Sequence, residues 1–482
     1  MHVAAITNTA NIRLALLLLV VLPTSVCATS LGKLPDSVAS ALAQAGVPES
    51  QIGIYVHDLA SDQAVLSFGA ERAQNPASTM KLLTTFAALE LLGSAYTWKT
   101  EAWIDGTLSG ERLEGNLVLK GYGDPKFDVE SFWLFLRDLR DRGIRDITGD
   151  LLLDRSYFAV DSYDPALFDN EPSRPYNVGP DALLINYKTF RLQFVPDEEK
   201  HTVGIFSEPA LPQIFVVNNL RLGSGRCDVW PDSPQIYGNT LTFSGVFPSG
   251  CGEKFRYFSL LPANDYARTL FGQLWQEVGG DWSGQVRDAN LPATAKLFAT
   301  RESAPLSELI RDVNKFSINV MARQIFLALG AREAPPATLE KSQRALREWL
   351  GRRGLYFPEL IVENGAGLSR ADRISPRHLG QVLIEAYRSP LMPEFIASLP
   401  LVAIDGTMKR RLIASPIAGR AHIKTGYIEG VRALAGYTLD VQGRMLVVVL
   451  IINHPGARDA QPVQDALLEW VYAGQTSRCC DR

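Results

Sequence analysis

The chain is poor in the residues that build metal centres and dense disulfide frameworks, since its 482 residues hold 5 cysteines and 6 histidines. The histidines are scattered and no Cys or His pair falls at a metal-ligand spacing, so no metal site is expected. Neither sign of charge dominates. Lys and Arg number 48 against 52 Asp and Glu, which excludes the broad fields that draw nucleic acids or an acidic membrane. Past the first residues, no uncharged apolar stretch reaches the roughly 20 residues needed to span a bilayer. Internal repeats and low-complexity segments are also lacking.

Residues 1–28 have the pattern of a secretory signal: Arg13 as the positive flank, "LALLLLVVL" as the apolar run, and "VCA" as a small-residue cleavage site. A lipid anchor on Cys27 is the rival reading, which Thr24 and Val26 suit poorly. The mature chain is expected to be exported and soluble, where cysteine pairs form and persist. Cys227 and Cys251 bracket a Gly- and Pro-rich, strand-like segment, and a disulfide closing it is expected to contribute about 3 kcal/mol on the chain-entropy model. Cys479 and Cys480 are adjacent, where a bridge would be strained, so two terminal thiols are expected.

Hydrophobic periodicity divides the rest. "LPDSVASALAQAG" reads as a helix, "IGIYVHDL" and "AVLSFG" as two strands, and a further helix begins near Ser78. Near the other end "AHIKTGYI", "VRALAGYTLD" and "RMLVVVLIINH" read as three strands, followed by a helix around "VQDALLEWVYAG". The terminal pieces, 29–95 and 292–482, are expected to form one α+β domain with an antiparallel five-stranded sheet flanked by helices. Between them, 96–291 reads as a large β-rich insertion, with a helix around "PANDYARTLFGQLWQEVGG" leading back to the main body.

Two Ser-x-x-Lys pairs occur. Ser30 and Lys33 follow the cleavage point with no apolar frame around them. Ser78 and Lys81 instead open the apolar run "NPASTMKLLTTFAALELLG", with Asn75 as a candidate cap and Pro76 at a favoured first helical position. Residues three apart on a helix share a face, so the Lys81 nitrogen reaches the Ser78 hydroxyl. A serine hydroxyl needs a neighbouring base to become a nucleophile. Lysine serves as that base only when neutral, which burial or nearby positive charge favours. A capping serine beside a snorkelling lysine is the bland alternative.

"KFSINVMARQ" carries Ser317 and Asn319, the only Ser-x-Asn in the chain, placed in the turn entering another amphipathic helix. A hydroxyl there suits proton relay, and the amide suits orientation of the lysine and a substrate carbonyl. By itself the pair also fits a helix cap. "AHIKTGYIEG" places Lys424 and Gly426 on one face of a strand. The lysine suits a substrate carboxylate and would depress the Lys81 pKa by like-charge repulsion. The glycine would let a ligand lie close to the backbone.

Taken together, in this order, the three segments resemble the active-site signature of penicillin-recognising serine enzymes. Ser317 follows Ser78 by 239 residues. Such a long insertion after the serine helix resembles the D-alanyl-D-alanine carboxypeptidase/endopeptidase family, the class C low-molecular-mass penicillin-binding proteins. "GYGDPKF", "GDLLLDRSYF", "YNVGPDALLINY", "NGAGLSR", "LPLVAIDGTMKRR" and "GVRALAGYTLD" extend the likeness from about Ser40 to about Ala473.

The resemblance implies a penicillin-binding transpeptidase-like domain. It implies Ser78 as acylated nucleophile, Lys81 as base, Ser317 and Asn319 as relay and positioning groups, and Lys424 with Thr425 and Gly426 as the carboxylate site. Backbone N–H groups of Ser78 and Tyr427 would form the oxyanion hole. Asp124 matches an insertion aspartate that meets the amino end of the substrate's peptide side chain, although a turn-capping Asp before Pro125 is the equal alternative.

The expected reaction is serine D,D-carboxypeptidase or endopeptidase chemistry on peptidoglycan peptides, in the periplasm and in solution or peripheral to the membrane, with β-lactams as inhibitors. It requires no metal or organic cofactor. A homodimer is left open. Rival readings are a β-lactamase or esterase of the same superfamily and a non-catalytic peptidoglycan-binding relic. The chain departs from the family pattern at Tyr427, where a small hydroxylated residue is usual, at Tyr122, where glycine is usual, and in "NGAG", which replaces an acidic, serine-containing version. These departures bear on substrate preference.

Overall fold

The computed structural model describes residues 2, 32–160 and 163–474. Apart from His2, the expected signal segment 1–28 lies outside the described residues, as do Ser30 and the Cys479–Cys480 pair.

Five strands form one antiparallel sheet in the order Ala421–Ile428, Val431–Leu439, Met445–Asn453, Ile52–Asp58 and Gln63–Phe68. The sheet joins both ends of the described chain. Its central strand, "MLVVVLIIN", is buried on both faces, and side chains alternate between them. Val447, Val449 and Ile451 pack against Leu82, Phe86, Met321, Phe326, Leu379 and Val382, which come from the helices Met80–Leu92, Asn319–Ala331 and Pro376–Arg388. Leu446, Val448, Leu450 and Ile452 turn instead toward Val38, Leu42, Val463 and Leu467 on the helices Asp36–Gln44 and Gln461–Tyr472. Each fully buried aliphatic side chain of this kind stabilises the fold by about 1.5–3 kcal/mol. The α+β class with helices on both sheet faces follows from this double burial.

A separate core gathers apolar residues from Ala102 to Ala299. Its members come from a seven-stranded sheet, two three-stranded sheets and the helices Val129–Asp141 and Ala263–Glu277. Strand Lys296–Glu302 pairs with Lys99–Ser109, so this sheet continues past residue 291, the expected end of the insertion. Helix Ala263–Glu277 buries Tyr266, Leu270, Phe271 and Trp275 in the same core. Its apolar stripe matches the aromatic core beside it. A disulfide joins Cys227 and Cys251, with Cα atoms 5.3 Å apart.

Candidate active site

The three motif segments meet at the mouth of the helix Met80–Leu92. A single 3-10 turn, Ala77–Thr79, precedes this helix, so Ser78 sits just outside the α-helix that was expected to include it. The Asn75 side chain caps the turn by accepting from the Ala77 N–H at 2.9 Å. Ala77 itself has a left-handed backbone, with φ of 46°. That conformation is costly for a residue with a Cβ and persists only where the surroundings enforce it.

Two glycines make room for it. A Cβ on Gly367, whose φ is 74°, would lie 1.9 Å from the Ala77 carbonyl oxygen. One on Gly426 would come within 2.8 Å of the Pro76 oxygen and 3.0 Å of the Ser78 nitrogen. The Lys-Thr-Gly glycine therefore makes room for the serine turn itself, where a ligand alone was expected.

Lys81, fully buried, makes three contacts. Its Nζ is 3.0 Å from Ser78 Oγ and 2.6 Å from Asn319 Oδ1, and it donates to the Ala366 carbonyl as well. The Asn319 amide is oriented by its Nδ2, which donates to the Tyr176 carbonyl at 3.4 Å. Two of the three Lys81 partners are thus oxygens that only accept. A neutral amine gives its two N–H groups to them and turns its lone pair toward the one partner able to donate, the Ser78 hydroxyl. Burial first, then the Lys424 and Arg323 cations, holds Lys81 well below the ordinary lysine range, against the opposing pull of Asp372.

Ser317 occupies a left-handed turn, φ 60°, two residues before the first residue of helix Asn319–Ala331. Its Oγ accepts from Lys424 Nζ at 2.9 Å, and the same ammonium donates to the Thr425 carbonyl at 2.7 Å. Burial lowers Lys424 to about 7. A bound carboxylate would raise that value and keep the cation.

Strand Ala421–Ile428 forms one edge of the sheet. The Ile423 N–H points off that edge to the Pro400 carbonyl at 2.8 Å. Strand periodicity directs the N–H groups of Thr425 and Tyr427 the same way. The Tyr427 ring is about half exposed, at 51%, and lies against the Arg432 guanidinium, 5.0 Å from the ring centre. It leans along the hairpin toward its cross-strand partner.

Ser78, Lys81, Ser317, Asn319, Lys424, Thr425, Gly426 and Tyr427 are therefore brought together. Asp124 has a different setting. Its Oδ1 accepts from the Lys126 N–H at 2.8 Å, the turn-capping geometry. Burial raises its carboxyl to about 6. No hydrogen bond among the described residues links it to the Ser78 cluster. Tyr122 donates to Glu101 at 2.7 Å and stacks edge-on against Tyr157.

Four participants were not anticipated individually. The Ala366 carbonyl holds Lys81, and Gly367 fits under the serine turn. Both belong to the "NGAGLSR" stretch, whose closely spaced glycines were the available signal. Asp372, raised to about 7 by burial, and buried Arg323 set the local charge. Nothing in their local sequence marks them.

The D-Ala-D-Ala carboxypeptidase 3 (S13) family model matches residues 34–473. D-alanyl-D-alanine carboxypeptidase DacB of Haemophilus influenzae is 25% identical over 418 residues, 84% of this chain and 86% of that protein. The crystal structure of penicillin binding protein 4 (dacB) from H. influenzae is similar in fold, with a TM-score of 0.74 at 24% identity over 91% of this chain and 100% of that one. The same protein complexed with a β-lactam matches with a TM-score of 0.68 at 23% identity, over 90% of this chain and 99% of that one.

Proposed function

The chain belongs to the D-Ala-D-Ala carboxypeptidase 3 (S13) family, and from that premise we propose that it is a serine D,D-peptidase cleaving peptidoglycan peptides that end in D-Ala-D-Ala, through an acyl-enzyme on Ser78. The observation carrying this reading is the Lys81 nitrogen, 3.0 Å from the Ser78 hydroxyl with acceptor-only oxygens on its other sides. As Ser78 Oγ attacks the carbonyl between the last two residues, its proton passes to Lys81. The oxyanion forms against the N–H groups of Ser78 and Tyr427, each such donor contributing roughly 3–4 kcal/mol in related chemistry. The leaving D-alanine nitrogen takes a proton through Ser317, which Lys424 holds at 2.9 Å. Lys424 and Thr425 grip the terminal carboxylate. Water then cleaves the ester and frees Ser78.

β-Lactams acylate the same hydroxyl in this scheme. No helix among the described residues is long and apolar enough to cross a membrane, which suits work in the periplasm, in solution or peripheral to the membrane. The domain division is part of this proposal, with the insertion beginning at about residue 96 and its second boundary moved from about residue 291 to just after the strand Lys296–Glu302. The test is covalent labelling with a fluorescent penicillin, together with release of D-alanine from a D-Ala-D-Ala peptide. Persistent label and D-alanine release, both abolished by Ser78→Ala, support it. Rapid turnover of the label without D-alanine release favours a β-lactamase, and absence of both favours a relic.

A further inference from the structure

Resting on that reading, we propose that Thr407 supplies the second hydroxyl of the site that binds the substrate's terminal carboxylate, beside that of Thr425. On the edge strand, Thr425 and Tyr427 project to one face. A small hydroxylated residue at 427 would stand beside the Thr425 hydroxyl, but this chain has a tyrosine there, its ring turned to Arg432. The Thr425 hydroxyl instead donates to Thr407 Oγ1 at 2.8 Å. Thr407 is exposed, so its own hydroxyl proton is free to meet an incoming anion.

This placement is built from two sides. The segment leading to Thr407 is laced to the edge strand by Ile423 N–H to Pro400 O at 2.8 Å and Val402 N–H to Ala421 O at 2.9 Å. Asp405 accepts from the Leu401 N–H at 2.8 Å and from buried Lys315 Nζ at 2.6 Å. Lys315 ends the helix Leu306–Lys315, two residues before Ser317. One ion pair therefore ties the Thr407 segment to the turn carrying Ser317, whose hydroxyl is bonded to Lys424. Lys424 Nζ donates to the Thr425 carbonyl at 2.7 Å, so the ammonium is tied to the residue whose hydroxyl meets Thr407; together they are the donors a carboxylate requires, the Thr425 hydroxyl turning from Thr407 to the anion as it binds.

Benzylpenicillin and its methyl ester, which lacks the carboxylate, separate this role from a merely structural one. Second-order acylation constants for both are measured on the wild type, Thr407→Val, Thr407→Ser, and Thr407→Val combined with Tyr427→Thr, with melting temperatures as the check on folding. Thr407→Val is expected to slow benzylpenicillin about tenfold and the ester less than about twofold, the loss of one hydrogen bond to a charged group. Thr407→Ser should keep the wild-type ratio, and Tyr427→Thr should recover part of the loss. Equal losses for both ligands, or none, overturn the proposal while leaving Ser78 as the nucleophile. A wild type that benzylpenicillin does not acylate at Ser78 overturns the functional reading and this inference with it.

Discussion

Lys81 Nζ and Asn319 Oδ1 lie 2.6 Å apart although 238 residues separate them. The contact decides which protons the lysine keeps. By accepting one N–H, the amide leaves the amine's lone pair for the serine without placing a negative charge beside it.

Asn319→Asp tests that neutrality. A carboxylate 2.6 Å from Lys81 would stabilise the ammonium and raise the lysine pKa. Penicillin acylation at pH 7 is expected to fall at least about tenfold, because one unit of pKa is about tenfold in the reactive fraction. The acid limb of the rate profile moves to higher pH. An unmoved limb with an unchanged rate would refute the role of the amide.

Lys81→Met removes a buried nitrogen that carries a desolvation cost. Acylation should vanish while the melting temperature holds or rises, since the site is tuned for chemistry at the expense of stability. Labelling at the wild-type rate would exclude Lys81 as the base.

Lys424 is a cation below about 7 and neutral above it in the free protein. The second-order acylation constant for a carboxylate-bearing β-lactam should therefore decline above about pH 7, whereas that for an uncharged ester should not. The acid limb belongs to Lys81, whose lowered pKa leaves it neutral above that limb. Because kcat/KM reports the free enzyme, the two ligands share the acid limb and differ on the basic one. Identical profiles would contradict the assignment.

Gly367→Ala drives a methyl group into the Ala77 carbonyl and adds strain at a φ of 74°. A loss of about 2–4 kcal/mol of stability is expected, with acylation slowed further by displacement of Ser78. Chemical denaturation and penicillin labelling check the two effects separately.

Cys227→Ser with Cys251→Ser opens a loop of sequence separation 24. It should lower the stability of the β-rich segment by about 3 kcal/mol. Penicillin labelling at 25 °C should be unchanged, because that segment has its own core. A large loss of labelling would mean that the two cores unfold together.

Local pattern made much of the chain legible. Alternation in "MLVVVLIIN" and its neighbours announces strands because every second side chain must find the same face. The spacing of Ser78 and Lys81 announces their meeting because three residues span about one helical turn. What remained hidden is non-local. The pairing of Lys296–Glu302 with Lys99–Ser109, the left-handed Ala77 held by Gly367 and Gly426, the Ala366 carbonyl on Lys81 and the Thr407 hydroxyl on Thr425 involve partners with no periodic relation in sequence. The terminal helices and strands and the reactive residue types are legible locally, since backbone geometry and hydrophobic period act over a few neighbours. Which oxygens take the Lys81 protons and which hydroxyl stands beside Thr425 follow from the packed chain, because those contacts join segments that meet only when the core closes.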